Sequence, residues 1–234
     1  MKRPILLLLC VTLLAYATSG CGPAPSPPPP PDEPTPTSVP PTATPVPPTP
    51  TPVPLAETPA PPLEISSSAF EPGGEIPVQY SCFGENLSPP LEWSGVPEGT
   101  QSLLLAVYDL DAGAELGASV PQGFVHWVVY NIPPSTTGYP EGVAGGTTLV
   151  DGALQGNNDF GLIVGIGPTF PSGAPIKLIG YDGPCPPNAH RYAFTLYALD
   201  SLIDVPPAPF MTQVLEAMEG HILAQTEVGG VYSP

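Results

Sequence analysis

The sequence predicts a mainly β domain, a sandwich with a C-terminal α-helix, that follows a disordered proline-rich linker. Two observations predict this arrangement. Beyond Leu63, short runs of aromatic, β-branched and aliphatic residues alternate with turn formers, as the strands of a β domain do. Half of the 40 prolines lie between Gly22 and Pro62, so the chain divides into a segment that cannot fold and one that can.

The first 20 residues have the order of a secretory signal peptide. Lys2 and Arg3 precede an apolar run over Ile5–Ala17, and small residues lead up to Cys21. The run is shorter than the roughly 20 residues that a transmembrane helix needs. Small residues before a cysteine resemble the bacterial lipobox, although Thr18 stands where leucine is usual. We expect residues 1–20 to be removed and Cys21 to be lipidated. The protein would then be exported and anchored to the outer face of the cell membrane as a lipoprotein. The alternative is ordinary signal cleavage that leaves Cys21 free.

Residues 21–62 are expected to form a Pro/Thr-rich tether. Gly22–Pro62 contains 20 prolines and seven threonines, with no aromatic residue, lysine or arginine, so it lacks the apolar surface that folding requires. Such chains favour polyproline II at about 3.1 Å per residue, which gives a semi-rigid stalk on the order of 120 Å long. A ligand for a proline-reading domain is the less favoured alternative. The folded domain is expected over residues 63–234.

Within that domain, three runs predict strands: Ser102–Asp109, Phe124–Asn131 and His190–Asp200. Turn formers bound each of them. Three weaker runs are strand candidates as well: Glu75–Tyr80, Leu91–Trp93 and Ile176–Ile179.

One late segment has the period of a helix. Its apolar residues fall at i, i+3, i+4, i+7 and i+11: Met211, Val214, Leu215, Met218 and Ile222. Prolines precede this stripe, and Gly229-Gly230 follows it. His221 is expected on this helix, in a structural role. Strands with one late helix favour a sandwich.

The charge balance excludes nucleic acid as a partner. The chain has 21 acidic residues against four basic ones and a net charge of -17. Removal of the signal would leave only Lys177 and Arg191 as basic residues. Such a surface repels nucleic acid phosphates. An anionic ligand would therefore need local donors in a pocket.

Five side chains in the predicted strands are candidates for such a pocket. Asp109 and Asp111 end one strand two residues apart, His126 lies among apolar residues, and His190 and Tyr192 share one face of a third strand. Imidazole N–H and phenol O–H suit phosphate or carboxylate oxygens, and a protonated imidazole would strengthen binding as the pH falls. The alternatives are a core histidine, turn-forming aspartates and a core tyrosine.

Motifs of the common enzyme classes do not occur: no G-x-S-x-G, H-E-x-x-H, C-x-x-C or P-loop. Two histidines and two aspartates have the donor types of a metal site, but their spacing does not require a metal. We therefore expect no catalytic activity, no cofactor and no metal.

Eight ordered blocks resemble the phosphatidylethanolamine-binding protein family, in its bacterial Raf-kinase-inhibitor-like branch. They are YSCFGENLSPP (80–90), LEWSGVPEG (91–99), YDLDA (108–112), FVHWVVYNIP (124–133), NDFG (158–161), GYDGPCPP (180–187), HRYAFTLYALD (190–200) and AMEGHILA (217–224). They cover nearly the whole domain. The resemblance implies an antiparallel β-sandwich with a C-terminal helix and a protein that is not an enzyme.

The resemblance also implies where a ligand binds. The family's small anion pocket falls on Asp109, Asp111, His126, Pro187, His190 and Tyr192. Members of the family bind phosphate-like groups and phospholipid headgroups, and several inhibit kinases or serine proteases through protein contacts. A binding module for a small anionic ligand is therefore the first expected function. A protein-interaction module, such as a protease inhibitor or a modulator of a surface partner, is the second, and an enzyme is the third.

A disulfide between Cys82 and Cys185 is expected as well. Cys10 falls in the signal and Cys21 is expected to be acylated, which leaves an even pair in an oxidising compartment. Both cysteines lie in family blocks and recur in similar bacterial members. Two separate buried thiols are the alternative.

The chain departs from the family pattern at the pocket. Asp109-Leu110-Asp111-Ala112-Gly113 lacks the two prolines that stiffen this wall in the family, and Ala189 replaces the usual glycine or proline. Leu162–Ile179 is much longer than in the family, and we expect this insertion to affect the pocket mouth.

We predict that the mature protein begins at a diacylated Cys21 and is found in the membrane fraction, because a signal-like segment leads directly to that cysteine. Mass spectrometry of the mature N-terminus and cell fractionation test this. Soluble, unlipidated protein with Met1 intact would contradict the prediction.

Overall fold

The computed structural model describes residues 61–113, 118–163 and 169–234. The predicted signal, Cys21 and nearly all of the predicted tether lie outside these ranges. Among the described residues, no helix has the length and apolar character that crossing a membrane requires.

The described residues form two antiparallel sheets and one helix. In chain order the elements are β1 Glu64–Ser66, β2 Leu91–Ser94, β3 Ser102–Asp109, β4 Phe124–Ile132, β5 Gly138–Tyr139, β6 Leu154–Gln155, β7 His190–Leu199, α1 Met211–Met218 and β8 Ile222–Tyr232. The smaller sheet has the order β1-β2-β5 and the larger has the order β6-β4-β3-β7-β8. The predicted mainly β sandwich with a C-terminal helix is therefore confirmed.

The central strand β3 is buried on both faces. Leu103 and Leu105 pack toward the smaller sheet in the sandwich core, and Leu104 and Ala106 pack on the opposite face with α1. All eight residues of the strand are buried. This double coverage explains why the strand reads as a continuous apolar run instead of an alternation of apolar and polar residues.

The helix is shorter than its apolar stripe predicts. Met211, Val214 and Met218 are buried against the larger sheet. Ile222 does not continue the helix but begins β8. Gly220, at φ 81°, turns the chain back, because this left-handed conformation favours glycine. The prediction that Ile222 and the neighbouring His221 lie on the helix is therefore wrong.

The last strand, β8, was not predicted from the sequence. Gly229-Gly230, interpreted as the end of a helical segment, lies inside this strand. A Cβ at Gly230 would lie 2.6 Å from Ile76 Cγ1, so the lack of a side chain at Gly230 lets the segment of Ile76 approach the strand closely.

Two of the weaker strand predictions are wrong. In the first, over residues 75–80, only Glu75 bridges to β8 and the segment ends in a 3-10 turn. Ile176–Ile179 makes a single bridge, at Ile179. Leu91–Trp93, the third, is confirmed as β2.

The structure contains the expected disulfide between Cys82 and Cys185, whose Cα atoms lie 5.2 Å apart. The bridge is part of a third apolar cluster that includes Phe124, Phe160 and Phe170. It joins two loops that are 103 residues apart in the sequence.

We predict that Cys82→Ser with Cys185→Ser lowers the free energy of unfolding by about 4–5 kcal/mol, because the bridge constrains a long loop of the unfolded chain. Denaturant unfolding of the oxidised protein and the double variant measures the difference. Two thiols that alkylate freely in the native, non-reduced protein would contradict the bridge itself.

Candidate functional site

Four of the predicted pocket residues converge where β3 ends and β7 begins. Asp109 and Tyr192 are direct partners in the register of these two strands, so their side chains lie on the same face of the sheet. His190 lies two residues before Tyr192 and shares that face. His126 approaches them from β4, since its ring centroid is 5.3 Å from that of Tyr192.

A β-bulge places His126 in this position. Val107 pairs with Trp127, whereas the next residue, Tyr108, pairs with Val125. His126 is therefore the extra residue of β4, without a partner of its own in β3. A bulge of this kind redirects a side chain locally and is common beside functional sites.

The His126 ring is enclosed by aromatic rings and hydrogen bonded to the main chain. Phe124 and Phe160 contact it edge to face, each with a centroid distance of 5.2 Å. Its Nδ1 lies 2.6 Å from the carbonyl oxygen of Asp182. A carbonyl oxygen only accepts, so Nδ1 carries the hydrogen, and in the neutral ring Nε2 has none.

Burial lowers the pKa of His126, against the opposing effect of Asp109. The ring is only 2% exposed. His126 is therefore neutral at physiological pH, and its Nε2 has no hydrogen-bond partner among the described residues. The sequence suggested that this histidine donates to an anion, but the geometry makes it an acceptor.

Asp109 contacts His190 in the candidate site and also stabilises the turn that follows β3. Its Oδ2 lies 2.8 Å from His190 Nδ1. Its Oδ1 accepts the backbone N–H groups of Asp111 and Ala112, each at 3.0 Å. The turn-forming alternative and the pocket prediction thus both describe this residue. The side chain of His190 is 12% exposed, against 5% for that of Asp109, so His190 lies closer to solvent.

Tyr192 contributes a buried hydroxyl that lacks a partner in the part of the chain that the structure describes. Burial, followed by the nearby Asp109 carboxylate, raises the pKa of this phenol. The group is therefore a neutral O–H donor. Leaving such a donor unpaired costs about 1–3 kcal/mol, so a ligand oxygen or a water molecule at this position would be stabilised.

The remaining two predicted residues lie beside this cluster. Asp111 accepts from Arg191 through Nε at 3.0 Å, through Nη2 at 2.6 Å and through the backbone N–H at 2.8 Å. These bonds hold the pKa of Asp111 at about 2. Asp111 thus orients an arginine and not an imidazole. Pro187 is exposed in the loop that leads into β7.

Asp182 is a buried carboxylate that the sequence analysis did not identify, and it supports His126. Asp182 Oδ1 accepts from the Asn86 side chain at 2.8 Å. Its Oδ2 accepts from Lys177 N at 2.9 Å and from the Asn158 side chain at 3.2 Å. The backbone N–H of Asp182 also donates to His126 O at 3.1 Å. Asp182 therefore positions both the main chain and the ring of His126.

A second buried carboxylate, Asp159, supports the start of β4. Its Oδ2 accepts the backbone N–H groups of Val125 at 2.8 Å and Ser119 at 2.9 Å. Its Oδ1 has no partner within the described ranges. Burial raises the pKa of both Asp159 and Asp182.

The described part of the insertion forms a wall beside this site, while residues 164–168 lie outside the description. Phe170 packs on Phe160 with a centroid distance of 5.1 Å. Leu178 has φ 59° and is spanned by a 2.6 Å bond from Ile179 N to Lys177 O, which is a strained γ-turn. The insertion is thus tied to the support of His126 through Lys177.

The supporting residues had a weak signal in the sequence. Asn86, Asn158, Asp159 and Asp182 all fall in the blocks that carry the family resemblance. A polar residue in a turn-rich block is usually exposed, so the sequence does not reveal that these side chains are buried. In the described ranges, no three or more His, Cys, Asp or Glu side chains converge as a metal site requires.

The domain matches a family model and is similar in sequence to proteins of other organisms. A family model described as phosphatidylethanolamine-binding protein matches residues 66–233. A UPF0098 protein of Methanothermobacter thermautotrophicus is 42% identical over 171 residues, which cover 73% of this chain and 98% of the relative. A UPF0098 protein of Chlamydia muridarum is 39% identical over 171 residues, with the same shares covered.

Two solved structures are also similar to this chain in sequence and in fold. A crystallised homologue of phosphatidylethanolamine-binding protein from Chlamydia trachomatis is 36% identical and aligns with a TM-score of 0.60. YbcL of Escherichia coli, described as a new member of the mammalian PEBP family, is 30% identical with a TM-score of 0.58. Each alignment covers 74% of this chain and 98% of the other.

We predict opposite effects on stability for the two buried aspartates. Asp182→Asn lowers the free energy of unfolding by about 2–3 kcal/mol, because in either orientation the new amide N–H₂ faces a donor. Asp159→Asn raises it by about 1 kcal/mol at pH 7, because the amide oxygen keeps both bonds and a buried charge is removed. Denaturant unfolding of both variants measures these differences.

The pH dependence checks the second variant. A carboxyl whose pKa is raised on folding destabilises the folded state as the pH rises above its unfolded value of about 3.9. Asp159→Asn should therefore gain less at pH 4 than at pH 7. An equal effect at both pH values, or a destabilised Asp159→Asn, would contradict this account.

Proposed function

The chain belongs to the phosphatidylethanolamine-binding protein family, and we propose that it binds a small anionic group, borne by phosphate or carboxylate, between Asp109, His126, His190 and Tyr192. The observation that carries this proposal is the Tyr192 hydroxyl, a buried donor without a partner among the described residues. Buried polar groups in folded proteins are almost always paired. An oxygen of a ligand would complete this one.

A second donor comes from His190. Its Nδ1 is held at 2.8 Å by the Asp109 carboxylate, so in the protonated ring Nε2–H is the free donor. Asp109 offsets the charge of the imidazolium. A hydroxyl and an imidazolium N–H together suit two oxygens of one anionic group.

Binding without catalysis is the function that this chemistry supports. Tyr192 is the hydroxyl of the cluster, and the raised pKa of its phenol disfavours the deprotonated form that a nucleophile needs. The neighbouring carboxylate Asp109 is already bonded to His190 and to two backbone N–H groups. Loss of a measured turnover upon changing His126 would instead favour an enzyme.

A phospholipid headgroup is one source of such an anion. The family description names phosphatidylethanolamine, whose headgroup carries a phosphate. The segment before the domain supports a location at a membrane, since the pattern ending at Cys21 predicts a lipid anchor. We therefore also propose that a lipid anchor at Cys21 holds the protein at the outer face of the cell membrane.

We predict that inorganic phosphate binds the wild-type protein at pH 6 and that Tyr192→Phe weakens binding about 3- to 10-fold, the share of one neutral hydrogen bond. Tyr108→Phe is the matched control, because Tyr108 has a buried hydroxyl that also lacks a partner in the described residues but packs on the opposite face with α1. Calorimetric titration measures the three affinities.

Two outcomes would contradict the proposal. Equal weakening by both substitutions would mean that the loss is not specific to the site. No binding of phosphate to the wild-type protein between pH 5 and 8 would remove the anion site and favour the interaction module, for which stoichiometric inhibition of an extracellular protease is the test.

A further inference from the structure

We propose that the site takes a phosphate group as its monoanion, with His126 Nε2 accepting the hydrogen of a ligand P–O–H group. This inference rests on the proposed function and specifies its ligand. Inorganic phosphate and phosphate monoesters would then be preferred over sulfate and phosphodiesters, which have the same shape at the anionic centre but carry no such hydrogen. The headgroup of an intact phospholipid is a phosphodiester, so this preference narrows the sources of the anion named above to free phosphate and its monoesters.

The hydrogen bonds of His126 determine this role. The bond of 2.6 Å from Nδ1 to the Asp182 carbonyl oxygen places the one hydrogen of the neutral ring on Nδ1. Asp182 is itself fully buried and held through its side chain by Asn86, Asn158 and Lys177. The tautomer is thus set by a rigid support, which leaves Nε2 with a lone pair.

The carboxylates around the ring favour a second hydrogen on it less strongly than burial opposes that hydrogen. Asp109 at the end of β3, Asp182 before β7 and Asp159 beside β4 all act to raise the pKa of His126, but desolvation outweighs them and the pKa is lowered. Tyr192 from β7 contacts the ring as well and is neutral. His126 therefore stays an acceptor.

The two permanent cations of the domain already make hydrogen bonds within the protein. Lys177 and Arg191 are the only basic residues beyond Arg3. Lys177 Nζ donates to the carbonyl oxygens of Asn86 at 2.8 Å and Tyr181 at 2.9 Å. Arg191 is held by Asp111. At the site, a protonated His190 would face the carboxylate of Asp109, so a dianion would lack matching positive charge.

The site thus presents one acceptor, Nε2 of His126, beside two donors, His190 and Tyr192. A fully deprotonated oxyanion satisfies the donors but places a lone pair against that acceptor. A monoanion with one P–O–H satisfies the donors and the acceptor. Sites built to bond a ligand hydrogen reject analogues without it, because their own polar groups are left unpaired.

The first experiment compares four probes with the full chain at pH 6: inorganic phosphate, methyl phosphate, sulfate and dimethyl phosphate. We expect the first two to bind about 10- to 100-fold more tightly than the last two. Equal affinities for phosphate and sulfate would overturn the inference and leave the proposed anion site standing. No binding by any probe would overturn both.

The second experiment separates the proton of the ligand from protons of the protein. The affinity for methyl phosphate should fall above the second pKa of a monoester, about 6, and from pH 6 to pH 8 the decrease should be about 50-fold. For inorganic phosphate, whose second pKa is higher, the decrease should begin at a correspondingly higher pH. Identical pH profiles for the two probes would assign the proton to the protein and overturn the inference.

A substitution at the ring tests the acceptor directly. His126→Gln offers an amide that can turn its N–H₂ toward the ligand, so the preference for phosphate over sulfate should shrink by about 10-fold. His221→Gln is the matched control, because His221 is exposed and bonded to Asp200. An unchanged phosphate-to-sulfate ratio in a folded His126→Gln protein would contradict the role of His126.

Discussion

The site depends on one constraint, the burial of the Asp182 carboxylate. A carboxylate removed from water must be hydrogen bonded on both oxygens or it destabilises the fold. Asn86 and Asn158 meet that need from segments that are distant in the sequence, and Lys177 meets it from the same loop. Once these segments are joined, the backbone of Asp182 makes two hydrogen bonds with His126. Its carbonyl oxygen accepts from the ring, and its N–H donates to the His126 carbonyl oxygen. The position of His126 in the candidate site is thus a consequence of satisfying the hydrogen bonds of a buried carboxylate.

The surrounding scaffold makes this arrangement stiff. The larger sheet is covered on one face by the smaller sheet and on the other by α1. At its end, the disulfide between Cys82 and Cys185 lies in the same apolar cluster as Phe124 and Phe160, whose rings contact His126. Phe170, from the segment Leu162–Ile179, is also part of this cluster.

In this acidic protein, the proposed anion site would have to take its binding energy from a few local groups. The domain places its two permanent cations in structural bonds, Lys177 on carbonyl oxygens and Arg191 on Asp111. The donors that remain are a phenol and one histidine. Selection of the proposed ligand would then rest on the pattern of hydrogen donors and acceptors more than on charge, which would make the protonation state of the ligand part of its recognition.

The sequence by itself determined the sandwich, the extents of β3, β4 and β7 to within a residue, and the residue types of the pocket. These features depend on local patterns and on ordered blocks of residues. Only the tertiary structure decided that His126 lies on a bulge, that its Nδ1 donates to the Asp182 carbonyl oxygen and that Nε2 is left with a lone pair. The strand β8 was missed for the same reason, since Gly229-Gly230 is a turn signal unless another segment packs on it. Pairing, burial and hydrogen-bond direction depend on neighbours distant in the chain, and no local pattern encodes them.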